Sequence, residues 1–203
     1  MAVTSKQALA RPKAAEAARP VAQLHTRVSA YLIDTAVLAG FILLFFIAGG
    51  AVLLFNSDLG RDDPPDSAYY AFIAIFLAGT LLGWSAFNLA FLGWRGQTAG
   101  MYMMRLRAVS EDGRALSPSQ VVLRWFALHP LLFHPVLLPV WGLASLVTVT
   151  ITLSQALFVV TMALVLLCIV SPVVALGAML LDAERRTLSD RLARTLVVPV
   201  DRS

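Results

Sequence analysis

Arg27 and Asp34 are the residues of this chain whose types and spacing most invite chemistry, because both stand at the start of an apolar run long enough to cross a bilayer. Seven positions make nearly two helical turns, so the two share one stripe, about 10 Å apart along the axis. Helical side chains lean toward the N-terminus. Asp34 therefore reaches back toward Arg27 while Arg27 leans away, and each needs a partner from another element or a water. An aspartate in a membrane helix costs roughly 2.5 to 3.5 kcal/mol on insertion scales, so Asp34 is expected to face protein or a wet cavity. A carboxylate held there could exchange a proton for a cation or for an arginine partner.

Other chemistries find less support. The histidines are His25, His129 and His134; the last two are five apart, each followed by a proline, and do not share a helical face. The single cysteine, Cys168, lies inside Leu-Val-Leu-Leu-Cys-Ile-Val, so a disulfide within the chain and a cysteine zinc cluster are excluded by count. The aspartates of the loop 56–67 lack the spacing and the glycine of an EF-hand. No nucleophile stands beside a base and no glycine-rich phosphate loop is present, so no enzyme, cofactor or metal site is expected. Nothing beyond net charge suggests nucleic acid.

The elements that must position Arg27 and Asp34 follow from composition. Of the 203 residues 59% are hydrophobic and 14% charged, well outside the range of soluble domains. Residues 1–21 read as a disordered basic cytoplasmic tail, a cleaved signal peptide being the competitor; residues 22–199 read as one transmembrane domain and 200–203 as a short C-terminal end. The expected architecture is an all-α, four-span transmembrane helical bundle, with spans at about 30–55, 69–92, 128–149 and 155–181. Gly79 and Gly83 form a GxxxG pair suited to helix packing, and Asn88 is either an interhelical hydrogen-bonding residue or a boundary residue. Between spans 2 and 3, Arg105-Leu-Arg-Ala-Val and the Asp112-Gly113 turn suggest a short cytoplasmic hairpin, with a helix continued through Met104 as the alternative. Ser117-Pro-Ser-Gln120 then opens an amphipathic helix carrying Arg124. From Ala127 to Leu181 there is no Asp, Glu, Lys or Arg, enough for two spans; Pro130, Pro135 and Pro139 make the first either kinked or partly re-entrant. Four spans with both termini in the cytoplasm leave Arg61 alone outside among the 16 basic residues, as the positive-inside rule favours.

Arg27 with Asp34, the loop Gly96-Gln97-Thr98-Ala-Gly100, the Asp112-Gly-Arg turn, Arg124 and the terminal Leu188-Ser-Asp-Arg-Leu-Ala-Arg-Thr195 together resemble the RDD family of bacterial membrane proteins over roughly residues 22–199. The resemblance implies that Arg27, Asp34 and Asp190 are the arginine and two aspartates of the family name. It also implies a bacterial inner-membrane protein, with transport of ions or small solutes as the usual suggestion. Two positions depart from the family pattern: Met101 stands where a lysine is usual, and Arg194 where a glycine is common.

Three roles are open at this stage. Arg27, Asp34, Asp190 and Arg124 could meet at the cytoplasmic end and exchange a proton or a cation at Asp34, or form a structural ionic network that fixes the packing. A non-transporting accessory subunit, docking another membrane protein or anionic lipid, is the alternative from a different class. Four spans enclose little space, so the expected partners are the bilayer and either a second copy or another membrane protein.

Overall fold

The computed structural model describes residues 21–128 and 134–200, so the expectations for the N-terminal tail, His129, Pro130 and the C-terminal end past residue 200 lie outside the described residues. It is mostly helical, at 74% helix. Three helices are long and apolar enough to cross a membrane: α1 (Leu24–Asn56), α2 (Asp66–Arg95) and α6 (Gln155–Leu181). Their outward side chains are hydrocarbon, with Phe55, Leu82 and Val173 all well exposed, a surface that suits lipid rather than water.

α1 and α2 pack antiparallel through aromatic rings. Phe41 meets Trp84 edge-on at 5.6 Å between centroids, and Phe46 meets Phe72 and Phe76. Edge-to-face contacts of this kind add about 0.5 to 1.5 kcal/mol each beyond burial. Gly79 and Gly83 make room for this packing: a Cβ at Gly79 would collide with the Phe45 ring, and one at Gly83 would lie 3.1 Å from it. The pair thus receives a ring from α1 rather than another helix backbone.

The third apolar stretch, expected as a kinked or partly re-entrant span at about 128–149, is interrupted in the structure. It consists of a 3-10 turn (Pro135–Leu137), the ten-residue α5 (Leu138–Val147) and a π turn (Thr148–Thr152). The prolines explain the starts, Pro135 opening the 3-10 turn and Pro139 the first turn of α5. The run Thr-Val-Thr-Ile-Thr, all β-branched, occupies the π turn, and Leu153 then leaves the helix with a φ of 51°. This broken segment packs on the first half of α6. The Cys168 thiol donates to the His134 carbonyl at 3.4 Å, and Cys168 lies about 20 Å along α6 from its first residue.

The expected hairpin between spans 2 and 3 is also corrected. β1 (Leu106–Ser110) does not pair with the residues after the Asp112 turn; it pairs antiparallel with β2 (Thr195–Pro199), from Leu106 opposite Pro199 to Ser110 opposite Thr195. The turn itself closes, Ser110 N donating to Arg114 O at 3.0 Å. Its second arm is diverted because Ser117 and Gln120 cap α4 (Pro118–Leu128) reciprocally. The buried face of β1, Leu106 and Ala108, needs an apolar partner strand, and Val197 of β2 supplies it in a small core with Ala22, Ala30 and Met101. Ahead of β1, residues 99–103 form a short helix, α3 (Ala99–Met103), and after α6 comes α7 (Leu188–Ala193).

Candidate functional site

Asp190 sits at the third position of α7, where a Thr-x-x-Asp pattern builds a capping box. Thr187 Oγ1 accepts from Asp190 N at 3.2 Å, and Asp190 Oδ2 accepts from Thr187 N at 3.0 Å. The box fixes the carboxylate so that two arginines reach it from different elements. Arg27 of α1 donates Nη1 to Oδ2 at 2.8 Å, and Arg124 of α4 donates Nη1 to Oδ1. The arginines are held in turn: Arg27 also donates to Arg185 O at 2.7 Å, and Arg124 to Thr195 Oγ1 at 2.7 Å. Asp190 is fully buried and Arg124 nearly so. Burial alone would raise the Asp190 pKa, but the charges of Arg124 and Arg27 outweigh it and hold the carboxyl below the usual carboxylate range.

Asp34 is treated differently. Both its oxygens are occupied by the N-cap and first turn of α3: Thr98 Oγ1 donates to Oδ2 at 2.6 Å, and Gly100 N donates to Oδ1 at 2.7 Å. Among the described residues Asp34 has no ion pair within 4 Å. The expected four-residue network is therefore two separate constellations: Arg27, Arg124 and Asp190 meet, while Asp34 binds neutral donors.

Each residue of the loop motif has a visible task. Gly96 ends α2 in the left-handed region at φ 66°, where a Cβ would lie 2.7 Å from Ala108 O. Gln97 donates from Nε2 to Leu106 O at 2.7 Å and ties the loop to β1. Thr98 caps α3 by accepting from Met101 N while its hydroxyl donates to Asp34. Gly100 packs against α1 so closely that a Cβ would collide with the Ala30 carbonyl, and this approach brings its N–H within reach of Asp34.

The two departures from the family pattern acquire physical meanings. Met101 is buried in the small core beside Ala30, Leu106 and Val197, so this position is filled by packing rather than charge. Arg194 closes α7 at φ 52°, a left-handed conformation that glycine adopts without strain and arginine does not. Thr98 and Thr195 stand in the motifs read from the sequence, which do not reveal their partners, whereas Thr187 lies outside those motifs and its signal is the three-residue spacing from Asp190.

A cavity of about 560 Å³ lies between α1 and the second half of α6, the half that α5 leaves uncovered. Arg27, Asp34, Arg124 and Asp190 all border it, with His134 and Pro135 also on its wall. The remaining lining is mainly hydrocarbon. Among the described residues no cluster of three or more His, Cys, Asp or Glu side chains could hold a metal ion.

Searches of the curated proteins and of the solved structures gave no match. The model of the RDD family matches residues 21–194, a span that contains both buried aspartates, both arginines and the loop that holds Asp34. This chain belongs to the RDD family.

Proposed function

We infer that this membrane protein moves ions or small solutes by exchanging a proton or a cation at Asp34. The observation that carries this reading is the contrast in charge compensation around the cavity: Asp190 is matched by two arginines, whereas Asp34 borders the same cavity with two neutral donors. A carboxylate without a cation is the group whose charge a proton or a small cation can still neutralise. Thr98 Oγ1 and Gly100 N orient it and leave its charge unmatched. α1 begins and α6 ends at the same end, joined through Arg27 and Asp190, so in this reading the chain between α2 and α6 makes one further crossing, of which the segment 135–152 covers the part beside the first half of α6. In this reading the membrane is a bacterial inner membrane, and the positive-inside rule favours that end facing the cytoplasm.

An accessory subunit docking through Gly79 and Gly83 has less support, because Phe45 of the same chain already fills that face. The deciding experiment is proton-coupled cation flux in proteoliposomes across pH 6 to 9, native protein against Asp34→Asn, with folding of both verified. Flux in the native protein that disappears in the folded variant is the expected result. Absence of Na+, K+ and proton flux from both, with the variant only less stable, removes ion exchange and leaves the aspartate as architecture.

A further inference from the structure

The cavity has a polarity that ion exchange at Asp34 leaves unused. Where it opens between α1 and α6 its walls are hydrocarbon: Leu32, Leu167, Val170 and Val174 are between 44% and 61% exposed, on surfaces that face lipid. Its inner end holds two guanidinium groups against one carboxylate. Asp34 balances that count only from about 10 Å further along α1, with both oxygens already engaged. The Nε–H groups of Arg27 and Arg124 have no acceptor among the described residues, and both side chains are more than nine-tenths buried. A guanidinium is weakly hydrated and matches carboxylate and phosphate in shape, so an excess of one beside an apolar cavity favours an anion that brings its own hydrocarbon.

We propose that the cavity binds a single-chain anionic amphipath drawn sideways from the bilayer, its head toward Arg27 and Arg124 and its chain along Leu32, Val170 and Val174. A volume of about 560 Å³ lies within the range of ligand pockets and suits one chain with a small head rather than a whole two-chain lipid. Both Nε groups are covered, so the head meets the guanidinium charge more than any single spare donor. The occupant comes from the membrane because the opening lies among lipid-facing side chains.

The test uses the full chain in neutral detergent, with palmitate, hexadecanol, acetate and dipalmitoyl phosphatidylglycerol as probes, read by thermal shift and native mass spectrometry. Palmitate should bind one per chain and raise the unfolding midpoint by several degrees; hexadecanol should bind at least tenfold more weakly, and acetate should give no shift. Val174→Trp, which fills the cavity away from the ionic groups, should fold and lose palmitate; Leu167→Phe is the second variant should the tryptophan prevent folding. Equal binding of palmitate and hexadecanol would mean an apolar patch without anion selectivity. Preferred phosphatidylglycerol would overturn the single-chain occupant, and a native dimer that Val174→Trp dissociates would mean that a second copy covers this face. Palmitate binding is measured without flux, so it stands or falls independently of exchange at Asp34.

Discussion

Asp34 and Asp190 are both buried carboxylates on one cavity, and they are stabilised by opposite means. Asp190 holds two arginines from α1 and α4 and caps its own helix, so it joins three segments that are distant in sequence. Asp34 accepts one hydroxyl and one backbone N–H from a single short segment, the start of α3. A carboxylate locked by two cations is a fastener, and a proton can take its place only at the expense of those pairs. One held by neutral donors keeps a charge that remains available for exchange. The difference teaches that burial alone does not mark a working group; the charge of its partners does.

The largest effect should come from removing the fastener. Asp190→Asn leaves two guanidiniums buried with no counter-charge, and breaking a buried pair in this way costs about 3 to 5 kcal/mol. The expected outcome is a marked fall in thermal stability, with residues after α6 becoming sensitive to protease, read by gel in detergent. The pH dependence has a definite sign. Because the folded-state pKa of Asp190 is depressed, its contribution is present above the ordinary carboxylate pKa and is lost as pH falls through the lower, folded value. Native protein should therefore lose stability below about pH 4. Asp190→Asn should show a shallower decline, and equal slopes would break the comparison.

Gly100→Ala comes next. Its Cβ would collide with the Ala30 carbonyl, so α3 must move off α1 and withdraw the N–H that serves Asp34. Overpacking costs about 1 to 3 kcal/mol, and the loss of a donor adds to it. Asp34→Asn should cost less than Asp190→Asn, about 1 to 3 kcal/mol, because it turns one acceptor into a donor facing a donor without stranding a cation. Thermal unfolding of the three variants side by side gives the ranking. An Asp34→Asn protein as unstable as Asp190→Asn would erase the distinction between the two carboxylates.

Much of this is legible in the residues alone. Apolar length marked α1, α2 and α6, and the cost of an aspartate inside α1 required a partner for Asp34. The identity of that partner was not legible, because Thr98 lies 64 residues away and its hydroxyl looks like any loop threonine until Gly100 brings the chain against α1. Strand pairing was misread for a similar reason. The Asp112-Gly113 turn is a good hairpin signal locally, yet the apolar face of β1 is satisfied by Val197, supplied by a segment beyond α6. The prolines of the third apolar stretch announced an interrupted helix, whereas the π turn at Thr148–Thr152 was not legible, because a β-branched run inside an apolar segment reads equally well as a continued helix.

The smallest expected effect tests whether the buried fastener depends on the ionic groups around it at the surface. Arg186 pairs with Asp182 at 3.0 Å and with Glu111 at 2.9 Å, and its hydrogen bond holds the Asp182 carboxyl below the usual range. Arg186 follows Arg185, whose carbonyl receives Arg27, so the surface network adjoins the buried one through one residue of backbone. Glu111 is itself exposed, and exposed pairs are worth about 0 to 1 kcal/mol because water and salt already screen them. Glu111→Gln should therefore leave the unfolding midpoint nearly unchanged, and added salt should shift native and variant proteins alike. A loss approaching that of Asp190→Asn would mean that the hold on Arg27 is transmitted from the surface through the Arg185 backbone, and the fastener would then extend from Glu111 to α1.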